Sequence, residues 1–149
     1  PIASAQNGQI VFLNTERVHW ESPEGKTTKT YLENEIARSE TARQELNDRI
    51  SAYLERLEAL PAGSSGQRLQ IENEIDRIQR EIRRIVDATD SATNEAMTKL
   101  ANSNGEKLAP ILEQLMREQG YIAMYRSDTA ILINPDNDIT DLVISRMHE

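Results

Sequence analysis

Side chains that commonly act in catalysis or metal binding are few in this sequence, and their spacing matches no known catalytic or metal-binding motif. The two histidines, His19 and His148, stand near opposite ends of the chain, with no carboxylates spaced around them as in a metal site. Cysteine is absent, which excludes disulfides and thiolate metal ligands. The sequence also contains no nucleophile–base arrangement and no glycine-rich phosphate loop. It therefore predicts a protein that is not an enzyme and that uses no metal and no other cofactor.

Charge is spread along the chain instead of being gathered in one basic surface. The formal net charge is −8, with 17 Lys and Arg against 25 Asp and Glu. The most basic run, RIQREIRR at residues 77–84, alternates with isoleucines and is interpreted as the solvated face of a helix. Because nucleic-acid binding requires clustered cations that neutralise phosphates, we expect no nucleic-acid partner.

The apolar stretches are too short for a membrane span, and the start of the chain suggests export. No run of about 18 apolar residues occurs. The chain begins at Pro1, without methionine and without a charged-then-apolar leader. Such a start fits an exported protein whose signal peptide has been removed, and equally a trimmed chain.

The elements that position these residues are predicted to be long, solvated helices. Apolar residues make up 38% of the chain and charged residues 28%, with one Phe and one Trp. This is too little apolar material for a large compact core, but it is too regularly spaced for disorder. A length of 149 residues fits one domain, residues 1–149, which we predict as mainly α with a small β body.

Apolar residues recur in alternating steps of four and three on both sides of a helix-breaking segment. PAGSSG at residues 61–66 predicts a turn. The 3.5-residue spacing around it predicts two helices packed antiparallel along a narrow seam, an arm spanning residues 23–118. Ser22 as a cap and Pro23 at the first helical position predict where the arm begins. The seam positions are Leu32, Ile36, Ser39, Arg43, Leu46, Ile50, Tyr53, Leu57 and Leu60, then Ile71, Ile75, Ile78, Ile82, Ile85, Thr89, Ala92, Ala96, Leu100, Asn104, Leu108, Ile111 and Leu115.

Both ends of the chain are predicted to form the small β body, from residues 9–22 and 119–149. Three β-rich runs, QIVFLN at 9–14, YIAMYR at 121–126 and TAILIN at 129–134, predict a three-stranded sheet whose last two strands form a hairpin. A final helix is expected over 139–147, with Asp138 and Asp141 as a capping pair. Such a small sheet buries little by itself, so we expect it to oligomerise. The residues predicted to form its core are Ile10, Phe12, Ile131 and Ile133.

Four segments together resemble the Skp/OmpH family of periplasmic chaperones, over nearly the whole chain. IVFLNTERV at 10–18 is similar to the family's first strand and the turn after it. SPEGKTTKTYLENE at 22–35 is similar to the start of its first arm helix. LEALPAGSSGQRLQIENEI at 57–75 lies where the family's arm turns. SDTAILINPDNDITDLVISRM at 127–147 is similar to the family's closing hairpin and its DIT-type final helix.

The resemblance implies an assembly and a function that no single motif indicates. It implies a homotrimer in which three sheets form a body, partly through Ile10, Phe12, Ile131 and Ile133, and three helical hairpins form tentacle-like arms. It further implies a periplasmic holdase that keeps unfolded outer-membrane β-barrel proteins soluble between the arms without ATP. Better-known members are strongly basic, whereas this chain is acidic. Its charge therefore argues against binding to anionic membrane surfaces.

Apolar residues outside the seam are the candidates for contact with an unfolded client. An alternative interpretation is that they only widen the helix–helix packing face. A second function also stays open, that of a structural or tethering coiled-coil protein with the same body and no client binding. The candidate client contacts are Tyr31, Leu54, Leu69, Val86 and Met97.

A possible hinge lies late in the second arm helix. Gly105 lowers helix stability and Pro110 removes a backbone hydrogen bond, while Ser103 and Glu106 could cap a restarted helix. Gly105 and Pro110 are therefore hinge candidates, and the alternative is a helix that is bent there without functional motion.

Overall fold

A computed structural model describes residues 8–149 of the chain. Helices dominate it, and two short strands and two 3₁₀ turns lie near the ends. The elements in chain order are β1 (Ile10–Leu13), α1 (Thr15–Glu21), α2 (Pro23–Glu58), α3 (Ser65–Gln119), β2 (Ala123–Arg126), 3₁₀ turns at Ser127–Thr129 and Pro135–Asn137, and α4 (Thr140–Met147). Within residues 8–149, no helix is both long enough and apolar enough to cross a membrane.

The described residues form two compact units. Residues 8–30 and 96–149 make up one unit, called here the body unit, and residues 31–95 make up the other, the arm unit. The long helices α2 and α3 each contribute to both units.

The core of the body unit is built from one face of β1, the end of α3 and one face of α4. Successive strand residues point to opposite sides, so Val11 and Leu13 face inward together. On α4, a spacing of four residues places Ile139 (its N-cap), Val143 and Met147 on a single buried face. Leu115 of α3 is fully buried between these elements and joins them into one cluster.

The sheet has two strands that run parallel, and the predicted three-stranded arrangement is wrong. β1 pairs with β2 in the register Ile10 to Ala123 and Leu13 to Arg126. Residues 129–134 form no strand, because the chain makes a 3₁₀ turn at Ser127–Thr129 where the predicted hairpin turn would lie. The tight hairpin turns need residues with positive φ, and neither Ser127 nor Asp128 adopts one. The Thr129 hydroxyl donates instead to the Arg126 carbonyl.

The outer edge of β1 is covered by the DIT segment of residues 138–140. Asp138 forms a single parallel bridge to Phe12, and the Ile139 amide donates to the Phe12 carbonyl at 3.0 Å. The buried Thr140 hydroxyl accepts from the Asn14 amide at 2.9 Å. Asp138 accepts from the Thr140 amide as a cap would, but Asp141 completes no capping box and binds Arg17. This segment therefore joins the C-terminal helix to the N-terminal strand.

The predicted core residues lie outside the core of the single chain. Ile10 is 42% exposed and Ile131 is 99% exposed, while Phe12 and Ile133 are half-buried. The physical reason for Ile10 and Phe12 is strand alternation, which turns them away from Val11 and Leu13. For Ile131 and Ile133 the reason is the missing third strand. Their assignment to the core is therefore corrected, and their assignment to a trimer interface stays a prediction.

In the arm unit, the predicted seam positions are the ones that lose most contact with solvent. Leu46, Ile71, Ile75 and Ile78 are buried, although Ile36 stays 46% exposed. Residues near 36–43 meet residues 86–90, and Tyr53 lies near Ile71, so α2 and α3 run antiparallel. The turn between them contains Gly63 with φ +87°, a conformation that glycine adopts readily.

Candidate functional site

The side chains that could bind a metal or take part in a reaction have structural roles in this fold. The ring of His19 packs edge-on against Trp20 at 4.8 Å, and His148 Nε2 lies 2.9 Å from the Glu21 carbonyl oxygen. Among the residues that the structure describes, no three His, Asp or Glu side chains are grouped as a metal site would need. In the basic run, Arg77 pairs with Glu74 at 2.8 Å on the helix surface. The candidate functional residues that remain are the apolar side chains on the surface of the arm helices.

The five candidate client contacts divide into an exposed group and a half-buried group. Leu54 is 48% exposed and Leu69 is 58% exposed, and Tyr31 is exposed to a similar degree. Val86 and Met97 are half-buried, so part of each side chain packs within its own unit. An unfolded chain would therefore find most of the accessible apolar surface of this group at Tyr31, Leu54 and Leu69.

A groove lies between the two arm helices close to the turn that joins them. We call it the tip groove; side chains from residues 53–60 and 67–74 line its volume of about 860 Å³. The Arg56 guanidinium sits 5.3 Å from the centre of the Tyr53 ring. The heptad spacing predicts Tyr53 in the seam but does not indicate the polar residues opposite it, because exposed Gln and Asn carry no periodic signal.

The seam is interrupted by a polar layer, as the sequence indicated at Ser39 and Arg43. A cavity of about 140 Å³ lies between these two residues and Val86, Thr89 and Asp90 of α3. Arg43 Nε is buried and makes no hydrogen bond to the described protein atoms. The cavity has room for a water molecule, which could bind this donor and the polar side chains of Ser39, Thr89 and Asp90.

The start of α2 is fastened to α3 by a buried polar cluster. The Ser22 hydroxyl caps α2 by accepting from the Gly25 amide at 3.0 Å, and it lies 3.2 Å from Asn104 Oδ1. Asn104 Nδ2 donates to the His19 carbonyl at 3.2 Å. Glu24 and Lys107 form an ion pair beside this cluster. The cap that the sequence predicted at Ser22 is confirmed, and its contact with Asn104 explains why a polar residue stands in the seam.

The two hinge candidates lie in an unbroken helix. α3 continues through Gly105 and Pro110, so Ser103 and Glu106 do not cap a restarted helix and that interpretation is wrong. Asn104, next to Gly105, is buried and bonded to both Ser22 and His19. Motion at Gly105 or Pro110 stays a prediction.

Surface ion pairs tie the last helix to the rest of the body unit. Arg17 pairs with Glu21 at 2.8 Å and with Asp141 at 2.9 Å, and Arg146 pairs with Glu118 at 2.9 Å. The hydrogen bond from Arg17 holds the pKa of the Glu21 carboxyl below its usual range. Hydrogen bonds from Gln114 and then Arg146 lower the pKa of Glu118 in the same way.

We expect these pairs to make the body unit less stable in acid. A carboxyl whose folded-state pKa is lowered stabilises the fold above its unfolded pKa of about 4.3, and this contribution is lost as pH falls through the folded pKa. The melting temperature should therefore decrease as the pH is lowered below about 4.3. Arg17→Gln should weaken the acid dependence, whereas Arg80→Gln, at an exposed arginine without an ion pair in the described structure, should leave it unchanged. Identical acid profiles for wild type and Arg17→Gln would refute the assignment.

Comparison with known proteins agrees with this arrangement of elements. The model of the family described as "Outer membrane protein (OmpH-like)" matches residues 9–147. A crystal structure of an OmpH-like outer membrane chaperone from Caulobacter crescentus CB15 is similar, with a TM-score of 0.73 and 16% sequence identity. The similarity covers 94% of this chain and 83% of the Caulobacter chain, and at this identity it concerns the fold alone. No curated protein matches the sequence. Because the family model spans the strand, both long helices and the closing helix, this chain belongs to the OmpH-like family.

Proposed function

We propose that this protein is an ATP-independent periplasmic chaperone that holds unfolded outer-membrane β-barrel proteins. The observation that carries the proposal is the set of exposed apolar side chains, Tyr31, Leu54 and Leu69, on the mostly polar surface of the arm helices of an OmpH-like chain. The protein similar to it from Caulobacter crescentus is described as an outer membrane chaperone, which agrees with this function.

Holding would rest on several weak contacts acting together. Full burial of a leucine side chain contributes about 1.5–3 kcal/mol, and a half-exposed leucine can gain about half of that on contact with a client. Contacts of this size are individually reversible, but several on one client raise the overall affinity through effective concentration. The net charge of −8 gives no long-range attraction to an acidic client, so the apolar contacts must supply most of the affinity.

We propose that three copies assemble through the body unit. The outer face of the sheet carries Ile10, Phe12 and Tyr125, with the last two rings 6.3 Å apart. Leu132 is 90% exposed beside the fully exposed Ile131. An apolar surface of this kind on a short, open-edged sheet is what self-association would cover. A trimer would also provide a sheltered volume for the client.

The acidic surface favours one rival function. A structural or tethering coiled-coil protein would need the same helices and the same body, but no attraction for unfolded chains. Neither function involves nucleic acid, and we do not expect binding to an anionic membrane surface at a net charge of −8. Binding of an unfolded client separates the two functions, whereas assembly does not.

Aggregation of a diluted client tests the proposal directly. A urea-unfolded outer-membrane β-barrel protein is diluted into buffer with and without this protein, and light scattering is followed. We expect suppression at about one trimer per client, and sedimentation of the same chaperone sample should give the mass of three chains. Absence of suppression at both low and moderate salt would instead favour the tethering function.

A matched pair of variants connects suppression to the exposed apolar residues. Replacing Tyr31, Leu54 and Leu69 together by Ser should weaken suppression. The control replaces exposed Ala37, Ala52 and Ala101 by Ser, which introduces serine at the same number of exposed helix positions without removing a large apolar side chain. Equal loss of suppression in both variants, with helix content unchanged by circular dichroism, would contradict the role of the three residues.

A further inference from the structure

We propose that the tip groove is a binding subsite for an extended segment of unfolded polypeptide that carries an acidic residue. The inference rests on the proposed holdase function and assigns part of it to one place on the arm. Its volume of about 860 Å³ lies within the range of about 300–1,000 Å³ that is typical of ligand sites. The groove opens to solvent between α2 and α3, so a chain segment can enter without separating the helices.

The groove offers hydrogen bonds that suit a peptide backbone of any sequence. Gln67, Gln70 and Asn73 line it from α3, and their side-chain amides make no hydrogen bond within residues 8–149. Each amide has both donors and an acceptor, as each peptide unit does. Amides on one helix face can therefore pair with the N–H and C=O groups of an extended segment without reading its side chains.

Apolar contacts in and beside the groove would take the client's side chains. Leu60 and the Tyr53 ring line the groove with half-buried apolar surface, whereas Ile71 beside them is buried in the seam. The exposed Leu54 and Leu69 lie on the same stretches of α2 and α3 but outside the groove lining. The groove thus combines polar partners for a peptide backbone with nearby apolar surface. An unfolded chain exposes both its polar backbone groups and its apolar side chains, so it can contact both.

The groove is lined by one cationic side chain, Arg56, and one carboxylate, Glu74. Glu74 lines the groove, but its carboxylate is paired with Arg77 at 2.8 Å. Arg56 has no carboxylate within ion-pair distance in the described part of the chain and lies over the Tyr53 ring. Arg56 is therefore the charged side chain of the groove lining that has no ion-pair partner among the described residues. A client carboxylate is the group that this guanidinium would attract, through a charge-assisted hydrogen bond.

Site-specific photo-crosslinking tests the location. Gln70→p-benzoylphenylalanine places the probe in the groove, and the control Glu81→p-benzoylphenylalanine places it on the exposed surface of α3 outside the groove. Each variant is mixed with a urea-diluted outer-membrane β-barrel protein and irradiated. We expect a markedly higher yield of client adduct at position 70 than at position 81. Equal yields, with aggregation still suppressed, would overturn the subsite and leave the holdase function standing, whereas loss of suppression as well would remove both.

A second pair of variants tests whether Arg56 attracts an acidic residue of the client. In the position-70 probe background, Arg56→Gln should lower the adduct yield about two- to fivefold, as expected for an exposed ion pair of about 0.5–1 kcal/mol. Arg49→Gln removes an exposed arginine of the same helix that does not line the groove and should leave the yield unchanged. The same decrease in both variants would show that net charge, and not Arg56, controls binding.

Discussion

Truncation of Leu115 to alanine is expected to lower the free energy of unfolding by about 2–5 kcal/mol. The side chain is fully buried at the centre of the body unit, where it contacts the cluster formed by β1 and α4. Its removal leaves a cavity between three elements, and a short strand and a short helix can close such a cavity only partly. Because domains of this size are stable by only about 5–15 kcal/mol, this loss is a large fraction of the total. Urea unfolding followed by circular dichroism at a fixed protein concentration measures it.

The matched control is Leu69→Ala on the same helix. Leu69 is 58% exposed, so we expect its truncation to cost under about 1 kcal/mol. Both substitutions remove the same side-chain atoms from α3, so the difference between their effects on the free energy of unfolding measures the contribution of burial. Equal losses for the two variants would mean that Leu115 is not the centre of the core that holds α3 to β1 and α4.

Gly25→Ala is expected to destabilise the protein by about 2–4 kcal/mol through loss of the cap at the start of α2 and of buried hydrogen bonds. A Cβ on residue 25 would collide with the His19 carbonyl oxygen and would lie 2.9 Å from the Ser22 hydroxyl. That carbonyl accepts hydrogen bonds from Asn104 and from Ser22, so the collision disturbs the whole cluster that fastens α2 to α3. Thermal unfolding of the variant measures the loss.

The same substitution at Gly105 should stabilise the protein instead of destabilising it. A Cβ at Gly105 meets no atom within 4 Å, and the residue lies inside α3. Alanine is favoured over glycine in a helix by about 1 kcal/mol, so Gly105→Ala should raise the melting temperature. Destabilisation by Gly105→Ala, or a neutral Gly25→Ala, would contradict the packing described here. If Gly105→Ala also preserves suppression of client aggregation, flexibility at this glycine is not needed for holding.

The helical elements could be predicted well because their signals are local. The alternation of four and three residues placed Leu46, Ile71, Ile75 and Ile78 at the buried seam, and each is buried in the arm unit. Ser22 and Pro23 marked the first turn of α2, since a cap and a fixed φ act within one turn of backbone. Gly120, with φ +69°, directly follows the last residue of α3, and glycine adopts this conformation readily at the end of a helix.

Strand pairing could not be predicted, because it depends on residues far apart in the chain. TAILIN has the composition of a strand, yet residues 129–134 form none, and β1 instead pairs with β2 through a connection that includes both long helices. α1 was also missed; its cap comes from Asn14, which reads as the end of a strand in the sequence. The composition of a segment indicates which secondary structure it can form, whereas the pairing partners elsewhere in the fold decide which one it does form.

The sequence by itself determined the mainly helical class, the arm with its seam, the absence of a recognisable catalytic set and the resemblance to the OmpH-like family. These follow from periodicity, composition and short motifs, which act over a few residues. Only the tertiary structure decided that Ile10 and Ile131 face outward, that Ser22 meets Asn104, and that Arg56 lines one groove together with the side-chain amides of Gln67, Gln70 and Asn73. Each of these depends on which side chains are brought together from distant parts of the chain, and that is set by packing and not by any local preference.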